Sequence, residues 1–254
     1  EPLLKADVKT ALRIDATDLD DVVDSLIVAA RLHIEAICGR ALVRQLRRLV
    51  LDAFPAEIRL PISPLRAVES ITYLDTAGVQ QTLSASDYRV DIYSDAPRIV
   101  PAYNTSWPDT YDVQNAVTVT YSAGYVVPVT ADGTANTLTG EGHALADDDR
   151  VILSNTGGTL PAGLSAPGNY YAVGVSGDAF QVATSAGGAA VDFTGAGTGT
   201  HFLGEIPKPI TQALILLVGH WLENTEAVNI GNIVTPLPMG VDALLGPYRV
   251  LRIG

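Results

Sequence analysis

Apolar residues recur at three- and four-residue spacing from Leu19 through Val22, Val23, Leu26, Ala30, Ile34 and Ile37. That period predicts a helix with one apolar face. Thr17, followed three residues later by Asp20 in a run of acids, suits its start, where the helix dipole favours negative charge. Gly39 suits its end. A shorter helix is predicted over "LLKADVKTALRID". From Leu42 to Tyr125 the period changes to two, and "LVRQLRRLVLD", "EIRLP", "VESITYLD", "VQQTLS", "YRVDIYS", "RIVP" and "AVTVTYS" read as strands. "DTAG" has hairpin-turn chemistry. "PAYNTSWPDTYD" reads as a loop held by Pro101 and Pro108, with Trp107 as its anchor. A helical pattern returns only at "IPKPITQALILLVGHWLEN", where Pro207 and Pro209 fit a first turn. Ile210, Ala213, Leu214, Leu217 and Trp221 share one face of it, and Ile215, Leu216, Val218 and Leu222 make the rest apolar too. A helix apolar nearly all round is buried on more than one side, so a neighbouring subunit is expected against it.

Between the last strand and this helix lies a stretch of different character, 128–203. It holds 14 of the 23 glycines and seven acids against one base, Arg150, which is half of the net charge of −12. Short strands at "RVILSN", "YYAVGV", "AFQVATS", "AVDFT" and "THFLG", divided by Gly, Pro and Asn turns, predict a small all-β unit. The expected fold class is therefore α+β: a helical core with antiparallel strands over 1–127 and 204–254, and an inserted all-β domain over 128–203. Loops accept such insertions when the two ends of the insert lie close together.

With 16 Lys and Arg against 28 Asp and Glu, the chain lacks the basic excess by which a free-standing nucleic-acid binder displaces counterions. The single cysteine, Cys38, excludes an intrachain disulfide and reads as a small core residue. The longest apolar run, Ile210 to Leu222, is too short to cross a bilayer, and no secretory signal is expected from the first residues.

Catalytic motifs are not found. Gly158 and Gly163 have phosphate-loop spacing, but Leu164 stands where the lysine must be. "GAGTGT" lacks a following helix, and no Gly-x-Ser-x-Gly elbow occurs. His33, His143, His201 and His220 are scattered, and His220 with Glu223 supplies only two ligands of a metal site. "DDDR" lacks the surrounding pattern of a calcium loop and reads as a solvated acidic turn. Neither an enzyme nor a cofactor or metal site is expected.

The order of motifs carries a resemblance. "LRIDATDLDDVVDSLIVAARLHIEAICGRAL", "IRLPISPLRAVESITYLDTAG", "SASDYRVD", "RIVPAYNTSWPDT", "AVTVTYSAGY", "IPKPITQALILLVGHWLENTEAV" and "LPMGVDALLGPYR" follow one another as in the head–tail connector (adaptor) proteins of long-tailed phages and gene transfer agents. The insert departs from the usual pattern and is similar to a small β module of phage virion proteins. The resemblance implies a structural virion protein at the head–tail junction, assembled in the host cytoplasm. It implies a ring of about twelve copies, closed through heterologous contacts, under the portal. Portal protein, stopper or tail-completion protein and other copies of the chain are the implied partners; DNA passes through the channel without specific binding, and no membrane is involved. Carried onto this chain, Tyr248, Arg249, Val250, Leu251, Arg252 and Ile253 become a portal-binding strand that would add to a partner's sheet edge. Ile210, Leu214, Leu217, His220 and Trp221 become the subunit interface. The alternative is an adhesion or carbohydrate-binding virion protein acting through the β insert, with Tyr170, Tyr171, Phe180 and Phe193 as its aromatics.

Overall fold

The computed structural model describes residues 1–166, 168–224 and 239–250, and the chain divides into two compact units, Glu1–Cys38 with Val126–Arg249 and Gly39–Tyr125. The first unit combines helices and a barrel. Its helices are α1 (Lys5–Leu12), α2 (Asp20–Cys38), α3 (Lys208–Glu223) and α4 (Met239–Leu245), the last running into a 3₁₀ turn at Gly246–Tyr248. α2 begins three residues beyond Thr17, whose carbonyl accepts the Asp20 N–H at 3.3 Å. Its first-turn acids are tied to α1: Lys9 Nζ lies 2.5 Å and Lys5 Nζ 3.5 Å from Asp20, and Lys5 lies 2.8 Å from Asp24. Val23, Ile27, Ala30, Ile34 and Cys38 form the buried stripe of α2, against which α3 packs with Ile210, Ala213, Leu214, Leu217 and Val218. Val22, expected on the core face, is instead 44% exposed.

The barrel is closed and six-stranded. β8 (Val127–Asp132), β9 (Thr137–Thr139), β10 (Arg150–Thr156), β11 (Gly168–Ser176), β12 (Ala179–Ala183) and β13 (Thr200–Leu203) run in the order β10-β11-β12-β9-β8-β13, and β13 returns to β10. Closure removes free strand edges. Val151, Leu153, Phe180, Val182 and Phe193 are among the side chains that fill its interior. "AVDFT" forms no strand but only bridges at Ala190 and Thr194. The first and last strands pair, with Val127 opposite Leu203. Gly157, at φ +73°, sits where any Cβ would run into the Leu4 side chain, so the segment before α1 lies directly on the barrel.

The second unit holds β1 (Gln45–Leu51), β2 (Ile58–Arg59), β3 (Leu65–Leu74), β4 (Gln80–Thr82), β5 (Tyr88–Asp91), β6 (Arg98–Pro101) and β7 (Val117–Ala123). They form a four-stranded antiparallel sheet, β1-β7-β3-β4, and a three-stranded one, β2-β6-β5. Alternation places Val117, Val119 and Tyr121 of β7 in the core with Ile71, Ile58 and Ile99. The "DTAG" turn closes β3 onto β4, its Asp75 carboxylate accepting the N–H groups of Ala77 and Val79 at 3.0 Å. Trp107 anchors its loop by stacking on Phe54, with ring centroids 4.9 Å apart. Gly124, at φ +154°, lets β7 pass the backbone of Arg44, which a Cβ would approach to 2.5 Å.

Candidate functional site

The residues singled out from the sequence lie on the helices, the C-terminal turn and the barrel. Ile210, Leu214 and Leu217, expected to meet a neighbouring subunit, are at most 1% exposed within their own chain. α1, α2 and α4 surround α3, so the apolarity that pointed to a partner is largely satisfied internally. His220 and Trp221 are half-buried. Trp221 meets His33 of α2 edge to face at 5.7 Å, and His220 Nδ1 lies 3.3 Å from Asn224 Nδ2. The apolar side chains that α3 and α2 do leave in solvent are others: Leu216 on α3, and Val22, Val28 and Leu32 on α2.

The C-terminal segment differs from expectation at its start. Tyr248 closes the 3₁₀ turn opened by Gly246 and Pro247 and does not begin a strand; extended backbone starts at Arg249. Arg249 Nη2 donates to Asp242 of α4 at 2.6 Å. Val250 follows without regular structure, and Leu251, Arg252 and Ile253 lie outside the described residues.

In the barrel, three of the four aromatics considered for ligand contact, Tyr170, Phe180 and Phe193, are core side chains. These three rings therefore form no exposed aromatic platform on the described residues of the barrel. The acidic run is structural: Asp147 accepts the Val175 N–H at 2.8 Å, Asp148 the Gly187 N–H at 2.5 Å, and Asp149 the Ala146 N–H at 2.8 Å. His201 is buried with Nδ1 2.7 Å from Asn155 Nδ2 and Nε2 2.7 Å from the Ala196 carbonyl. His143 packs against Phe180, its Nδ1 accepting the Leu145 N–H at 2.9 Å. Burial holds its imidazole below the ordinary value, and nearby Asp178 offsets part of that. A cavity of about 340 Å³ opens between the N-terminal segment, the start of α3 and the barrel, bounded by Asp7, Asn155, Phe202, Lys208 and Thr211 among others. Among the described residues, no cluster of three or more His, Cys, Asp or Glu is placed to hold a metal ion, and no helix is long and apolar enough to cross a membrane.

Comparison with known proteins adds a similarity over part of the chain. Residues 6–94 match the family model described as phage gp6-like head-tail connector protein. A search of curated proteins finds no match. Among solved structures, a chain from the neck of an empty GTA particle, computed with C6 symmetry, superposes with a TM-score of 0.56 at 20% identity, covering 99% of this chain and 91% of that one. A chain from the virion of a native gene transfer agent particle gives 0.56 at 19%, over 99% and 91%. A third, from the neck of a native GTA particle computed with C12 symmetry, gives 0.50 at 18%, over 100% and 94%. The shared fold thus extends over the barrel as well as the helices and sheets. Over residues 6–94, the chain is similar to the gp6-like head-tail connector proteins of phages.

Proposed function

We propose that the chain is a structural adaptor at the head–tail junction of a phage-like particle, one copy of a ring through whose axis DNA passes. The observation that carries this reading is the family match over α1, α2 and the first strands. The fold likeness to chains from gene-transfer-agent necks, reconstructed with C6 and C12 symmetry, supports both the location and a cyclic arrangement. The role is structural and not catalytic. An acidic chain with a net charge of −12 has little affinity for phosphates, which suits a channel that DNA must slide through. Nothing favours the adhesion reading, because the barrel's large aromatics are its core.

Two parts of the chain are assigned roles within this reading. The barrel, 128–203, is an accessory domain carried by the adaptor core of 1–127 and 204–254. The segment after the 3₁₀ turn is the portal contact, with Arg249 and Arg252 as its cationic groups; its apolar, β-branched residues Val250 and Ile253 fit pairing with the edge of another sheet. Truncation after Tyr248 tests that assignment. The truncated protein is expected to melt like the full chain and to fail to co-purify with portal-containing heads. Attachment at the full-chain level would contradict it.

A further inference from the structure

α2 carries a second apolar face that its own chain leaves open. At 3.6 residues per turn, Val22, Ser25, Val28, Ala29, Leu32 and Ala36 lie on one arc of roughly 120°, opposite the buried stripe. All six are exposed, and Val22, Val28 and Leu32 are so by 44%, 38% and 53%. The one charged side chain on this arc is Asp21, at its N-terminal end. An ordinary solvent-facing helix surface is rich in Lys and Glu, whereas this one is uncharged for more than three turns. Positions 22, 25, 29, 32 and 36 also follow the alternating three- and four-residue steps of a helix–helix seam.

We propose that this arc is the contact by which each copy receives α3 of the next copy around the ring; the inference rests on the ring reading above. The occupant follows from what else is open. Among the described residues of the helix-and-barrel unit, Leu216 is the other large apolar side chain in solvent, 38% exposed on α3. Ser25, Val28, Ala29 and Leu32 stand at i, i+3, i+4 and i+7 and form a four-residue hole of the kind that accepts one such knob. With Leu216 seated there and the two helices parallel, Lys208 lies eight residues, about 12 Å, toward the N-terminus. The same rise from the centre of the hole reaches Asp20 and Asp21 of the receiving helix. Asp20 is already held by Lys5 and Lys9, so Asp21 faces the incoming Lys208, whose contact to Glu205 at 2.9 Å is on the surface. Apolar knob and charge then agree on one register. Because arc and knob are different faces of one chain, the contact is heterologous and propagates from copy to copy, as a ring requires.

Cysteine pairing in the purified full-length chain tests this, since the native Cys38 is buried. The double variant Ala29→Cys with Leu216→Cys, treated at rising protein concentration with a short bismaleimide, is expected to give a ladder beyond dimer. Either single variant is expected to give none. Adding Leu32→Glu to the double variant abolishes the ladder without changing its melting. Lys208→Asp weakens the ladder about threefold, and adding Asp21→Lys restores it. Dimers from Ala29→Cys alone, or cross-links confined within one chain, would overturn the pairing. Rings in electron micrographs of the same sample without a ladder would overturn this face while the ring reading stands; neither rings nor ladder at any concentration would overturn both.

Discussion

His143 is a buried titratable group with a clear consequence for stability. Its folded-state pKa lies below the ordinary value of about 6.5 because burial in the barrel strips water from the charged imidazolium, an effect that Asp178 only partly offsets. The unfolded chain therefore takes up a proton at pH values where the folded barrel does not. Stability is complete above about pH 6.5 and falls as the pH drops below it. Thermal melts at about pH 7.5 and about pH 5.5 are expected to show a lower Tm at the acid end for the native chain. The drop should be smaller for His143→Gln, which stays neutral and keeps an acceptor for the Leu145 N–H; equal drops would contradict the assignment. Phe180 and Gly124 give two further expectations at this scale. Phe180 is fully buried among barrel side chains, and Phe180→Ala is expected to remove ~3–5 kcal/mol of stability in urea unfolding. Gly124→Ala adds a Cβ at 2.5 Å from the Arg44 amide nitrogen with φ at +154°, and is expected to remove roughly 1–3 kcal/mol.

At the scale of elements, Val127 and Leu203 are paired neighbours across β8 and β13, so the barrel leaves and rejoins the chain at adjacent points. Removing 128–202 and joining Val127 to Leu203 is expected to leave the helices and both open sheets folded, with helical circular dichroism retained. Loss of the helical signal would show that the barrel is needed for the rest to fold. The long helices and the strands from β1 to β7 were readable because each follows one period over many residues. β8 and β9 were not, because Pro128, Gly133 and the Asp132–Asn136 turn break the alternation and the two strands together span few residues. "AVDFT" alternates like a strand, yet the Phe193 N–H goes to the Asn136 side chain at 3.0 Å and no continuous ladder forms. The 3₁₀ turn at Tyr248 follows from Gly246-Pro247, which outweighs the strand propensity of the residues beyond it. The all-round apolar character of α3 was visible, but which neighbour covers it was not; Ile210, Leu214 and Leu217 face the chain's own helices. The outer arc of α2 was hidden for a related reason. Val22 continues the apolar spacing of the core face, and only the packing of α1 and α3 shows which arc is left over.

In the assembly proposed for the whole molecule, several copies of the chain surround an axis at the junction of head and tail. In that assembly the acidic chain would repel passing DNA instead of holding it. The uncharged outer arc of α2 and the exposed Leu216 argue for neighbours of the same kind. A closed ring satisfies both faces in every copy, where an open filament would leave its ends exposed. Cryo-electron microscopy of the particle that carries this chain is the most direct test. A cyclic ring of copies is expected at the neck, with α2 and α3 of adjacent copies in contact and the axis open. A neck whose density contains no copy of this fold, or a location of the chain at the tail tip or fibres, would contradict it.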